Sequence, residues 1–242
     1  MTIRVAALGD PHAGVDTAGF LRPALADVAA RADLLLIAGD LTRHGLPEEA
    51  AVLAGEVCDL EVPVVAVLGN HDHEADQEDK VRAVMEDAGA VVLEGESTEL
   101  DVAGTRVGVV GAKGFGGGFR GACATEFGER EIKAFVRHTR TIAQGVGDEL
   151  AALDSDVRIV LLHFSPVPDT LVGERLEIYP FLGSYLLGDA VDRSGADLVL
   201  HGHAHGGSEK GATPGGVPVR NVSQPVIGAA YRVYPVPVGI DD

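Results

Sequence analysis

Five short apolar runs punctuate the chain, and each leads into Asp, Asn or His. Residues 3–8, 34–38 and 62–68 are rich in Val, Leu, Ile and Ala, with little alternation between polar and apolar positions. Continuous runs of this kind fit strands buried on both faces of a parallel sheet. Between them, residues 18–32 and 47–60 are compatible with helices. Pro47 suits a first helical turn, and Glu48 and Glu49 follow where the helix dipole favours acids. The three runs close on Gly9-Asp10, Gly39-Asp40 and Gly69-Asn70, at intervals of 30 residues, the length of one strand–helix–strand unit. Successive units cross over with one hand, so the three polar residues gather at one sheet edge, beyond the strand C-termini. Taken singly, Gly-Asp and Gly-Asn are ordinary turn dipeptides. The pattern returns, however, where 157–162 runs into His163 and 198–200 runs into His201-Gly202-His203-Ala204-His205. Five repetitions make turn punctuation a poor account.

The middle of the chain reads less clearly. Residues 90–93, 97–102 and 106–111 have strand character, with Gly104 in a turn between the last two. Residues 114–121 are rich in glycine, and 129–153 look helical apart from interruptions at Gly145 and Gly147. Residues 217–222 and 229–236 read as strands returning to a sheet. No linker or low-complexity tract divides the chain, so residues 1–242 are expected to form one α/β domain.

Composition narrows the classes. Hydrophobic residues make up 46% and aromatics 5%, without Trp, so the core must be built from Val, Leu, Ile and Ala. A net charge of −18 argues against nucleic acid or anionic membrane partners, which require Lys and Arg to neutralise phosphates. It does not exclude a small anionic substrate, because bound divalent cations reverse the local sign. Cys58 and Cys123 form neither a disulfide framework nor a thiolate metal site. The N-terminus lacks a basic stretch followed by an apolar run, and no segment approaches the roughly 18 apolar residues of a membrane span. A cytoplasmic location is the expectation.

The run ends carry the chemistry. In extended backbone, residues two apart point the same way, so Asp10 and His12, and His203 and His205, can each offer two side chains to one site. Imidazole and carboxylate donors suit Mn, Fe or Zn. Asp10, His12, Asp40, Asn70, His163, His203 and His205 are more donors than one ion takes. Two divalent ions sharing a bridging carboxylate would use them, with Asp40 the natural bridge.

The ordered set D-x-H, G-D, G-N-H-D, a lone strand-end His and G-H-x-H resembles the calcineurin-like metallophosphoesterase superfamily. The texture is similar to its Icc-related bacterial phosphoesterases. The resemblance implies a four-layer sandwich of two mixed β-sheets flanked by helices. It implies that Asp10, His12 and His205 hold one metal, that Asn70, His163 and His203 hold the other, and that Asp40 bridges them. His71 would contact the phosphate or protonate the leaving oxygen, and Asp72 would orient it. The implied activity is hydrolysis of phosphomonoesters or phosphodiesters, with a metal-bridging hydroxide attacking phosphorus in line. Small organophosphates and cyclic nucleotides are the expected substrates. A nuclease and a non-catalytic scaffold with the same fold are the alternatives.

Other residues stay open. Arg43 and His44 belong either to the pocket rim or to an exposed loop. His73 and Glu74 read as loop positions, His201 as support behind the donors, and His138 as a surface residue on a helix. The 114–121 segment lacks the Lys-Ser/Thr ending of a nucleotide phosphate loop. Either it is a flexible loop over the metal site, with Arg120 or Lys113 engaging a second anionic group, or it is a mobile surface turn.

Overall fold

The computed structural model describes residues 1–239. The early runs form β1 (Thr2–Leu8), β2 (Leu34–Ala38), β3 (Val64–Val67) and β4 (Val91–Val92), which pair parallel in that order. In the middle of the chain, β5 (Glu96–Val102) and β6 (Thr105–Ala112) form an antiparallel hairpin, and β7 (Gly118–Phe119) and β8 (Ala122–Cys123) form a small separate one. The later strands are β9 (Val157–Leu162), β10 (Leu198–His201), β11 (Lys210–Ala212), β12 (Pro218–Asn221) and β13 (Arg232–Pro237). The first sheet has the order β13-β1-β2-β3-β4, with β13 antiparallel on its edge. The second has the order β11-β12-β10-β9-β6-β5, parallel at its centre and antiparallel at both edges.

The two sheets pack face to face, and side-chain alternation explains why the central strands are apolar throughout. Ile3, Val5, Ala7, Leu34 and Leu36 point inward and meet Val107, Val109, Ile159, Leu161 and Leu200 from the opposite sheet. The residues between them point outward. Ala6, Leu8, Leu35 and Ile37 are covered by the helices Pro47–Val57 and Glu78–Asp87. Val110, Val160 and Leu162 are covered by the helices Arg130–Ala152 and Tyr185–Ser194. The result is helix, sheet, sheet, helix, the four layers that the resemblance implies.

Two expectations need correction. Residues 18–32 do not form one helix but two single turns, Arg22–Leu25 and Val28–Arg31. Gly19 sits at φ +84°, Pro23 can only begin a helix, and Asp27 at φ −107° breaks the helical path. Conversely, Gly145 and Gly147 do not interrupt Arg130–Ala152, which runs on as one helix. At Gly147 the packing is close: a Cβ there would lie 3.6 Å from Ala190 Cβ, and its carbonyl accepts a hydrogen bond from Ser194 Oγ at 2.9 Å. No helix among the described residues is long and apolar enough to cross a membrane.

Candidate metal centre

The donors converge where the strands of both sheets end. Three groups of potential ligands have their donor atoms within 4.8 Å of one another: Asp10, His12 and His205; His12, Asp40 and His71; Asp40, His163 and His203. Asp40 belongs to two of them. His163 Nε2 lies 3.0 Å from Asn70 Oδ1 and 3.3 Å from Asp40 Oδ1, while His205 Nε2 lies 3.0 Å from Asp10 Oδ1. Two donors held about 2.1 Å from a single ion at angles of about 90–109° stand about 3.0–3.4 Å apart. These three spacings fall in that range, which hydrogen bonds between the same atoms also occupy. The wider gap between His12 Nε2 and Asp40 Oδ2 is 3.8 Å.

Backbone strain marks the same residues. Asp10, His12, Asp40 and His203 have φ of 58°, 42°, 49° and 71°, four of the seven non-glycine residues with positive φ among those described. Side chains disfavour this region, and strain of this kind collects at functional sites. It also corrects the parity argument. Asp10 and His12 lie beyond the end of β1, and His203 and His205 beyond β10, in turns rather than extended backbone. Left-handed turns, not strand alternation, aim these pairs at the centre. The neighbouring glycines make room. A Cβ on Gly39 would lie 2.6 Å from His163 Nδ1, and one on Gly69 would lie 2.1 Å from Asp40 Oδ1.

Backbone carbonyls fix the imidazoles. His163 Nδ1 donates to Ala38 O at 2.9 Å, which leaves Nε2 for the centre. His203 Nε2 donates to Phe181 O at 3.2 Å, which leaves Nδ1. His71 Nδ1 donates to Arg43 O at 2.8 Å, with Nε2 3.9 Å from Asp40 Oδ2. A metal-ligating His commonly has its second nitrogen tied in this way, which sets both tautomer and ring angle.

Electrostatics fit a cation site. Burial opposes charge on Asp10, but the hydrogen bond from His205 and the nearby His163 outweigh it and hold the carboxyl below its usual range. Burial drives His203 down to about 3 and lowers His12, so both are neutral donors at pH 7. The hydrogen bond to Asp10 raises His205, which an arriving cation would deprotonate.

The remaining sequence candidates fall in different places. Asp72 is fully buried and makes no hydrogen bond to His71. Its carboxylate accepts from Leu41 N, Thr42 N, Thr42 Oγ1 and Gly69 N at 2.6–3.0 Å, tying the loop after β2 to the loop after β3. The orienting contact on His71 comes instead from the Arg43 carbonyl. Arg43 itself pairs with Asp16 at 2.8 Å, and exposed His44 faces Glu74 at 3.2 Å. His201 is buried, with Nδ1 donating to Gly202 O and Nε2 accepting from Thr170 Oγ1. The 114–121 segment is mostly buried and is pinned by Gly117 N to Pro180 O and Gly118 N to Gly183 O. Arg120 pairs with Asp189 at 2.6 Å and lies over the Tyr185 ring, lining a cavity that includes no donor. Lys113 stays near the centre, its carbonyl accepting from His163 N at 3.0 Å.

Motif reading missed Ser223, whose hydroxyl donates to Asp10 Oδ2. The signal was available, because the 217–222 run ends in a polar residue like the other runs. The fixing carbonyls of Ala38, Arg43 and Phe181 leave no trace in residue type.

A model of the family described as calcineurin-like phosphoesterase matches residues 3–207. The chain belongs to the calcineurin-like phosphoesterase family. No curated protein matches its sequence. Among solved structures it is similar to the phosphopantetheinyl hydrolase of Mycobacterium tuberculosis, with a TM-score of 0.65, 16% identity, and 95% of each chain covered. It is similar to a putative 5′-nucleotidase from Staphylococcus aureus, with a TM-score of 0.58, 14% identity, all of this chain covered and 55% of that one. It is also similar to GAP50, the anchor in the inner membrane complex of Plasmodium, with a TM-score of 0.54, 12% identity, and 93% and 72% covered. At these identities the likeness concerns the fold.

Proposed function

We propose that residues 1–242 form a single-domain, cytoplasmic, dinuclear metal-dependent hydrolase of small phosphomonoesters or phosphodiesters, with cyclic nucleotides among the candidate substrates. The observation that carries this reading is Asp40, a buried carboxylate shared between two groups of donors. Asp10, His12 and His205 would hold one ion, Asn70, His163 and His203 the other, and Asp40 would serve both. Mn, Fe or Zn suits these nitrogen and oxygen donors. Bound there, the ions supply Lewis acidity toward the phosphoryl oxygens and activate water. The chain's own residues do the rest. His71 faces the phosphate and delivers a proton to the leaving oxygen, while Asp72 holds the two donor loops in register. The partner is a small phosphorylated compound, with neither membrane nor nucleic acid involved.

The likeness to an anchor protein favours a scaffold as the second reading. Against it stands the strained backbone at four of the seven donors, a cost that a scaffold has no reason to keep. Turnover of bis-p-nitrophenyl phosphate separates the two. Mn-loaded protein is expected to hydrolyse it, a chelated sample to lose at least about 100-fold, and added Mn to restore the rate. Equal rates with and without chelator would favour the scaffold.

A further inference from the structure

A cavity of about 530 Å³ lies against the helix Arg130–Ala152, and its walls include His73, Glu94, Lys113, His138 and Ile142. Three of these residues sit on the backbone that delivers the donors. Lys113 O accepts from the main chain of His163, Glu94 Oε1 accepts from Leu68 N two residues before Asn70, and His73 closes the short turn that begins at His71. None of the seven donors lines the cavity, but unlike the one beside Arg120 its walls are hydrogen-bonded to the backbone of His163 and of the loop before Asn70. Its volume suits a small organic group.

Two polar atoms facing it, Lys113 Nζ and His73 Nε2, lack partners among the described residues. Lys113 is half-buried, yet among the described residues no carboxylate oxygen comes within 4.0 Å of its Nζ, which stands 5.8 Å above the Phe115 ring. Burial lowers its affinity for a proton, and the more distant charges of Glu94, Glu78 and Asp40 oppose that. Glu94 lines the same cavity, but its carboxylate is engaged by Leu68 N at 2.9 Å and makes no ion pair with Lys113 within 4.0 Å. His73 Nε2 is buried without any hydrogen-bond partner, and its Nδ1 is 3.6 Å from Glu78 Oε1. Buried polar groups rarely stay unpaired, and a half-buried ammonium gains most from an anion.

We propose that this cavity is the subsite for the non-scissile part of the substrate, and that this part carries a second anionic group, a phosphate or a carboxylate, held by Lys113 and His73. The inference rests on the phosphoesterase reading above. It gives the preferred substrate two anionic groups, one phosphate at the metals and the second anion beneath the helix.

The test compares matched pairs on Mn-loaded protein. Adenosine 3′,5′-bisphosphate against adenosine 5′-monophosphate reads a second phosphate. Phosphoglycerate against glycerol phosphate reads a carboxylate. At least one member with two anionic groups is expected to show kcat/KM about tenfold above its partner, mostly through KM. Lys113→Gln should reduce that ratio about tenfold, and Lys113→Arg should recover most of it. Gly145→Leu provides a variant that leaves the lysine in place. A Cβ at Gly145 meets nothing within 4 Å, so the new side chain fills the cavity from the helix and should lower the same ratio. A wild-type ratio near one in both pairs would overturn the proposal, as would a ratio unmoved in Lys113→Gln and Gly145→Leu while turnover persists. Absence of Mn-dependent turnover on every ester would instead bring down the phosphoesterase reading, and this subsite with it.

Discussion

His71 has one ring nitrogen committed and one free. Nδ1 gives its proton to the Arg43 carbonyl, so as an imidazolium the ring carries its transferable proton on Nε2, beside Asp40. An alkoxide leaves poorly without that proton, whereas a nitrophenolate leaves well alone. His71→Ala is therefore expected to slow alkyl or nucleotide esters by about 10²–10⁴ and nitrophenyl esters less. Metal content must be equal in variant and wild type. Equal losses on both ester classes would make His71 a positioning residue. At this scale the convergence of these side chains was legible because their types and order are restricted by ligand chemistry. What orients them was not, because Ala38, Arg43 and Phe181 contribute carbonyls, and every residue has one. Asp72 shows the converse. Its adjacency to His71 in sequence implied contact, but its carboxylate turns to the amides of Leu41, Thr42 and Gly69.

At the scale of elements, two glycines give opposite expectations. A methyl group on Gly69 would collide with both the Asp40 carboxylate and its backbone nitrogen, at 2.1 and 2.2 Å. Gly69→Ala must displace the shared donor, and turnover should fall by at least about 100-fold, since small misplacements of reacting groups cost that much. Gly145 lies within a helix and faces open space. Gly145→Ala should raise stability by about 0.5–1 kcal/mol in urea denaturation, the ordinary helix preference for alanine. Stability lowered by that change would show the helix to be more crowded than its geometry implies. The same contrast explains what the sequence revealed of the fold. Central strands buried on both faces must be apolar throughout, so β1, β2, β9 and β10 stand out. Residues 18–32 are apolar enough for a helix, but Gly19, Pro23 and Asp27 divide them into single turns. The strained turns at Asp10, His12 and His203 replace the extended geometry that their spacing implies.

At the scale of the whole molecule, two buried groups pull stability in opposite directions with pH. Burial raises Glu94 to about 7, above its ordinary 4.5, so the folded state holds this proton more tightly than the unfolded chain. Its contribution to stability falls as pH rises from about 4.5 to about 7. Burial lowers His201 to about 4, below its ordinary 6.5, so its contribution falls as pH drops from about 6.5 to about 4. The two slopes offset each other in wild type, and a variant separates them. Glu94→Gln should have a higher Tm relative to wild type at pH 8 than at pH 5, measured at equal metal content. A gap that does not change with pH would mean that Glu94 is not held protonated by burial.

 The strand ends of both sheets bring together donors for a pair of ions sharing Asp40, and metal stoichiometry tests that pairing most directly. In each group the donor atoms lie within 4.8 Å of one another. The decisive measurement is elemental analysis of Mn-reconstituted protein, for wild type and Asp40→Asn side by side. The account predicts about two ions per chain in wild type and about one or fewer in Asp40→Asn, because loss of the shared carboxylate disturbs both positions. Active wild-type protein without stoichiometric metal, or Asp40→Asn retaining both ions, would contradict it.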